Sequence, residues 1–150
     1  MEIDVIIYIA TTPKDSSGVE AWASLTDYGT SRAYGSGVVI HANNNQTLLE
    51  AVLHSMSSIS RSEYSPTVFI VGGSYVVKTL NKLGTGVPLH RVQVKPLRNT
   101  ALWKELQFTG LTGVYWKSVS ADNLPGSREV VHLADTLLKK DNNVDKNSTI

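Results

Sequence analysis

A change of hydrophobic period near residue 40 constrains this chain more than any other feature. Before it, Ile3–Ala10, Glu20–Thr26 and Arg32–Ile40 are short runs rich in β-branched or alternating apolar residues, the signature of strands. Ile3–Ala10 is apolar enough to predict a strand buried on both faces. Asp27-Tyr28-Gly29-Thr30 supplies turn chemistry between the second and third runs, which predicts a three-strand meander. After it, Leu48, Leu49, Val52, Leu53, Met56 and Ile59 recur at helical spacing, behind an Asn43-Asn44-Asn45 segment suited to capping.

The rest of the chain alternates between the two periods. Pro66 ends a connection and Thr67–Val71 is a further β-branched strand. Gly72-Gly73-Ser74 leads into a short helix over Tyr75–Leu83, which Gly84, Gly86 and Pro88 break. Asn99 is placed to cap a helix through Gln107, and Gly113–Val119 reads as a fifth strand. Ser127 opens a last amphipathic helix on Val130, Val131, Ala134, Leu137 and Leu138. The order βββαβααβα predicts an α/β fold, a five-stranded mixed sheet with helices on both faces.

A chain of 150 residues suits one domain that buries roughly two-thirds of its unfolded surface. The stretch from Lys139 is polar and Asn-rich, so the domain is assigned to residues 1–140 and a flexible polar C-terminal tail to 141–150. With no cysteine there is no disulfide framework and no thiolate metal site. The opening MEIDVIIYIA carries acids where a signal peptide needs positive charge and is too short to span a bilayer, so a cytoplasmic protein without a membrane partner is expected. Fourteen Lys and Arg against thirteen Asp and Glu exclude a whole-chain basic footprint, so any nucleic-acid contact needs a local patch. Lys78, Lys82, Arg91, Lys95, Arg98 and Lys104 form one such segment, with no acid inside it.

Short motifs then point to a family. Tyr8-Ile9-Ala10-Thr11-Thr12 ends the first strand; Asn44-Asn45-Gln46-Thr47-Leu48-Leu49 starts the first helix; Val71-Gly72-Gly73-Ser74-Tyr75-Val76 ends the fourth strand. Lys95-Pro96-Leu97-Arg98-Asn99-Thr100-Ala101-Leu102-Trp103, Tyr115-Trp116-Lys117, and Pro125 with Leu133-Ala134 follow in order. Over residues 3–140 this series resembles ribonuclease H of the bacterial type. The family's counterparts are an aromatic residue before Thr-Asp-Gly-Ser, then Asn-Asn-Arg-x-Glu-Leu, Thr-Asp-Ser-x-Tyr-Val, and Lys-Pro-x-Lys-Asn-x-Asp-Leu-Trp.

The resemblance implies two-metal catalysis, with carboxylates from the first strand, first helix, fourth strand and last helix holding two Mg²⁺ about 4 Å apart. Carried over residue by residue, those positions hold Ala10, Leu48, Gly72 and Val131, and the loop that would carry a catalytic histidine, Ser118–Asp122, has none. Asp4 is about 20 Å of extended strand away from Ala10, and Glu50 lies about 200° around the helix from Leu48. Asp122 and Asp135 are the remaining acids with any access to the centre. No catalytic residue, metal ligand or cofactor is therefore assigned, and the former centre is expected to be packed with apolar side chains.

Binding is the function left open. The family's Asn-Asn pair reads the minor groove of an RNA–DNA hybrid, which implies that role for Asn44 and Asn45; helix capping accounts for either one equally simply. Ser74 stands where the family often has a hybrid-contacting Gln. Gly72-Gly73 before a helix fits either an ordinary strand-to-helix turn or a phosphate cradle. Arg91, Lys95 and Arg98 match a basic protrusion of some family members, although its tryptophans are missing here, and a solvated face explains them too. Trp22, Trp103 and Trp116 are expected in the core, and the dispersed histidines 41, 54, 90 and 132 have no ligand spacing. Three functions remain: a pseudonuclease that binds hybrid or other structured nucleic acid, a protein-interaction or self-association module on the same scaffold, and a residual nuclease using relocated acids.

Overall fold

A computed structural model describes residues 3–13, 15–40, 44–91 and 99–148. Its elements are β1 (Ile3–Thr11), β2 (Val19–Asp27), β3 (Arg32–Ile40), α1 (Asn44–Ser57), β4 (Tyr64–Val71), α2 (Ser74–Gly84), α3 (Thr100–Thr109), β5 (Tyr115–Val119) and α4 (Pro125–Ser148). A single 3₁₀ turn, Leu89–Arg91, precedes α3. The order matches the one expected from the changes of period.

The five strands form one sheet in the order β3-β2-β1-β4-β5. β1 pairs antiparallel with β2 and parallel with β4, β2 pairs antiparallel with β3, and β4 pairs parallel with β5. The β2–β3 connection is tight enough for Asp27 Oδ1 to accept the Gly29 N–H at 2.8 Å, with Gly29 at φ 87°. Few residues other than glycine adopt that left-handed backbone without strain.

Each face of the sheet has its own core. Val5, Ile7, Ile9, Trp22, Val68 and Ile70 point toward α1, α2 and α3, where Leu49, Val52, Leu80, Trp103 and Leu106 meet them. Ala10, Ala23 and Leu25 point the other way, against Val130 and Ala134 of α4. The small side chains of Ala10 and Ala23 let the α4 backbone approach the sheet closely. β2 is covered on both sides, so Val19–Thr26 is buried without a break. A Cβ on Gly37 of β3 would lie 2.5 Å from the Trp22 indole, so glycine is what allows β3 to pair across that ring. All three tryptophans are buried, as expected.

In four places the structure departs from the sequence reading. β1 is buried on both faces only near Ile9 and Ala10; Asp4 and Ile6 are exposed on the side that α4 covers only farther along, and Ile3 is exposed on the other face at the start of the strand. Pro66 falls inside β4, paired with Val5, rather than before it. It is tolerated because β5 pairs with β4 only from Thr67 onward, leaving no ladder partner there for the missing N–H. Asn99 does hold the N-cap position of α3, but at φ 61° and without a side-chain capping bond, so it does not cap in the way anticipated. α4 runs helical to Ser148, beyond the last apolar position of its stripe; extending a formed helix costs far less than starting one. Asn43, the first of the three candidate capping asparagines, lies outside the described residues.

Candidate functional site

The parallel pairing of β1 with β4 brings the ends of both strands to one edge of the sheet. Ile9 pairs with Ile70, so Ala10 stands beside Val71, and Gly72 follows at once. Val71 and Val131 pack on the cluster built from Ala10, Ala23, Val130 and Ala134. α1 closes the other side: a Cβ on Gly73 would lie 2.6 Å from Leu48 Cδ2, so the leucine rests directly over that glycine. Ala10 and Val131 therefore share the cluster on the α4 side, Gly72 follows at the end of β4, and Leu48 reaches Gly73 from α1.

The environments of these four positions differ. Ala10 is 0% and Leu48 3% exposed, while Val131 is half-buried. Gly72 is exposed at φ 72°, with nothing within 4 Å of where a Cβ would stand. The Gly72 N–H donates to the Val119 carbonyl at 3.0 Å, and its own carbonyl accepts the Ser118 hydroxyl at 2.5 Å. These two bonds tie the end of β4 to β5. The left-handed backbone at Gly72 and Gly73 turns the chain into α2.

This end does not fit a two-metal centre, because the four side chains offer no oxygen to a cation that needs carboxylates. Among the described residues there is no group of three or more His, Asp, Glu or Cys side chains able to hold a metal ion. Asp4, Asp122 and Asp135 are exposed, and Glu50 is half-buried on α1.

The binding candidates are only partly brought together. Asn45 is half-buried in the first turn of α1, one turn before Leu48, and Ser74 is exposed at the start of α2, directly after Gly73. Both border the Leu48–Gly73 contact. Asn44 begins α1, and Arg91 is exposed in the 3₁₀ turn, with no described contact linking it to the other two. Lys95 and Arg98 lie outside the described residues.

Sequence reasoning assigned Glu20 only to a strand. It is 1% exposed on β2, and its Oε2 accepts the hydroxyl of the fully buried Thr47 in α1 at 3.1 Å. The first turn of α1 has no acidic residue of its own, and Glu20 gives its Thr47 a hydrogen-bond acceptor from the neighbouring strand. The signal was available in the alternation, since Glu20 shares a face with Trp22 near the start of the strand. A second polar tie joins β3 to α4. Glu129 accepts the Tyr34 hydroxyl at 2.8 Å and pairs with Arg32 at 3.3 Å. Nearby, burial pushes the Tyr8 phenol above its ordinary pKa; Asp27 adds to the rise and Arg32 opposes it.

This architecture is shared with a solved enzyme. The crystal structure of LC9-RNase H1, a type 1 RNase H with the type 2 active-site motif, matches at a TM-score of 0.67 and 17% identity, covering 91% of this chain and 72% of that one. The fold is ribonuclease H-like. No family model and no curated protein matches the chain, and at this identity the likeness carries the fold alone. No helix among the described residues is long and apolar enough to cross a membrane.

Proposed function

We propose that this ribonuclease H-like protein binds an RNA–DNA hybrid or another structured nucleic acid without cleaving it. The observation that carries the reading is the apolar end of β1 and β4, where Leu48 covers Gly73 and Ala10 packs with Val131 under α4. On this reading the sheet end can still meet a nucleic acid, while its side chains offer a cation no carboxylate. Asn45 and Ser74 border that end and provide hydrogen-bonding groups for a minor-groove edge or backbone. The likeness to an RNase H favours nucleic acid as the ligand class. A panel of labelled hybrid, duplex RNA, duplex DNA and single strands, titrated at several salt concentrations, tests this. Salt-dependent binding of hybrid or duplex, weakened by Asn45→Ala, is expected; no affinity for any duplex at low salt refutes it.

One observation favours a second reading, self-association. β3 is a nine-residue edge strand without a proline, with Tyr34 55% and Ile40 66% exposed. Such an edge is a template for pairing with a second copy. A strict monomer in solution rules this reading out.

A further inference from the structure

The side of the sheet facing α4 is only half covered. α4 packs mainly on β2 and β1, and beyond it the outward residues of β4 and the first part of β5 are incompletely covered, while Val119, beside Val71, is buried. Ser65, Thr67, Phe69 and Val71 are half-buried, while Tyr115 and Lys117 are exposed. Parallel strands are ordinarily covered on both faces, so this opening is a departure. The pairing lays the side chains in rows: Ile6, Thr67 and Tyr115 in one, Tyr8, Phe69 and Lys117 in the next. Tyr8 and Phe69 stack at 5.7 Å with 29° between their planes, and Tyr115 is 57% exposed.

We propose that this open face is a stacking platform for single-stranded nucleic acid, with Tyr115 and Phe69 under bases and Lys117 beside the backbone. Surfaces that bind single strands combine flat aromatic faces with cations that follow the phosphates. Protein interfaces, by contrast, deplete lysine from their centres, and here Lys117 sits in the aromatic row itself. The acids of this face lie away from β5. Asp27 continues the row of Ile6, Thr67 and Tyr115 on β2, two strands from Thr67 and beside Arg32, and Asp4 pairs with Ser65, which has no β5 partner. A polyanion following β5 therefore meets Lys117, with Asp4 and Asp27 on strands farther off. This face is across the sheet from Asn45, so the inference is independent of the hybrid-binding reading.

The test is fluorescence anisotropy with labelled twelve-nucleotide oligo(dT) and oligo(U) at low salt. The wild-type chain is expected to bind both. Tyr115→Ala should weaken binding by about tenfold, the loss of one base stack, while Tyr115→Phe retains it. Lys117→Ala should flatten the slope of log K against log salt by about 0.7. Both side chains are exposed, so these variants keep the fold. Tyr115→Ala should leave hybrid binding unchanged and Asn45→Ala should leave oligo(dT) binding unchanged, which separates the two surfaces. The proposal is overturned if single strands do not bind, if Tyr115→Ala binds them as the wild type does, or if the chain is a dimer that Tyr115→Ala dissociates.

Discussion

Placing acids at the apolar end should destabilise the protein unevenly, in a pattern set by burial. Leu48 is 3% exposed and rests on Gly73. Leu48→Glu removes about 2 kcal/mol of apolar burial and places a carboxyl in an apolar contact, which costs about 2 kcal/mol more. For a chain of this size, a loss of about 4 kcal/mol lowers Tm by on the order of 10 °C. Ala10→Asp, at a position with no exposure, should cost a comparable amount because both the added volume and the charge must be accommodated. Gly72→Asp differs, since a Cβ there meets nothing within 4 Å and only the φ of 72° opposes it, a cost of about 1 kcal/mol. Burial raises the pKa of an introduced carboxyl. The penalty at positions 10 and 48 is therefore full at neutral pH and shrinks as the pH falls and the group protonates. Urea unfolding at pH 7 and pH 4.5, without divalent cations, measures all three variants. If Leu48→Glu and Ala10→Asp are as stable as Gly72→Asp at pH 7, the end is open to water and the packing argument is wrong.

Three further outcomes follow from the geometry. Gly37→Ala places a methyl 2.5 Å from the Trp22 indole, so it should cost about 1–3 kcal/mol and shift the tryptophan near-UV dichroism; an unchanged spectrum and stability contradict this. Thr47→Val leaves the buried Glu20 without its hydroxyl donor and should cost about 1–3 kcal/mol in urea unfolding, whereas a neutral substitution means the bond contributes nothing. The Tyr8 phenol, raised chiefly by burial, holds its proton more tightly in the folded than in the unfolded chain. Its contribution to stability is fully present below the ordinary phenol pKa of about 10 and is lost as pH rises beyond it. Spectrophotometric titration should therefore lose a tyrosine that titrates above the ordinary phenol range in Tyr8→Phe, and an unchanged high-pH part of the curve contradicts the assignment.

The element order was legible because strand and helix periods alternate without ambiguity from Ile3 to Leu138, and because Asp27–Thr30 and Gly72-Gly73 have clear turn chemistry. The family resemblance implied a convergence of Ala10, Leu48, Gly72 and Val131; the structure places Ala10 and Val131 in one cluster and Leu48 against Gly73. What stayed hidden depends on tertiary placement. The open first half of β1 is decided by where α4 crosses the sheet, which no local pattern encodes. Pro66 was read as a breaker because its tolerance depends on the late start of β5. The role of Glu20 stayed hidden because its partner, Thr47, lies on an element 27 positions away.

The most direct test of the account is a single reaction in which a labelled RNA–DNA hybrid is mixed with the protein and Mg²⁺ or Mn²⁺, with bound and cleaved fractions read from the same sample. A salt-sensitive bound fraction with the hybrid intact is the predicted result. Cleavage of the hybrid, or the absence of any bound fraction at low salt, contradicts it.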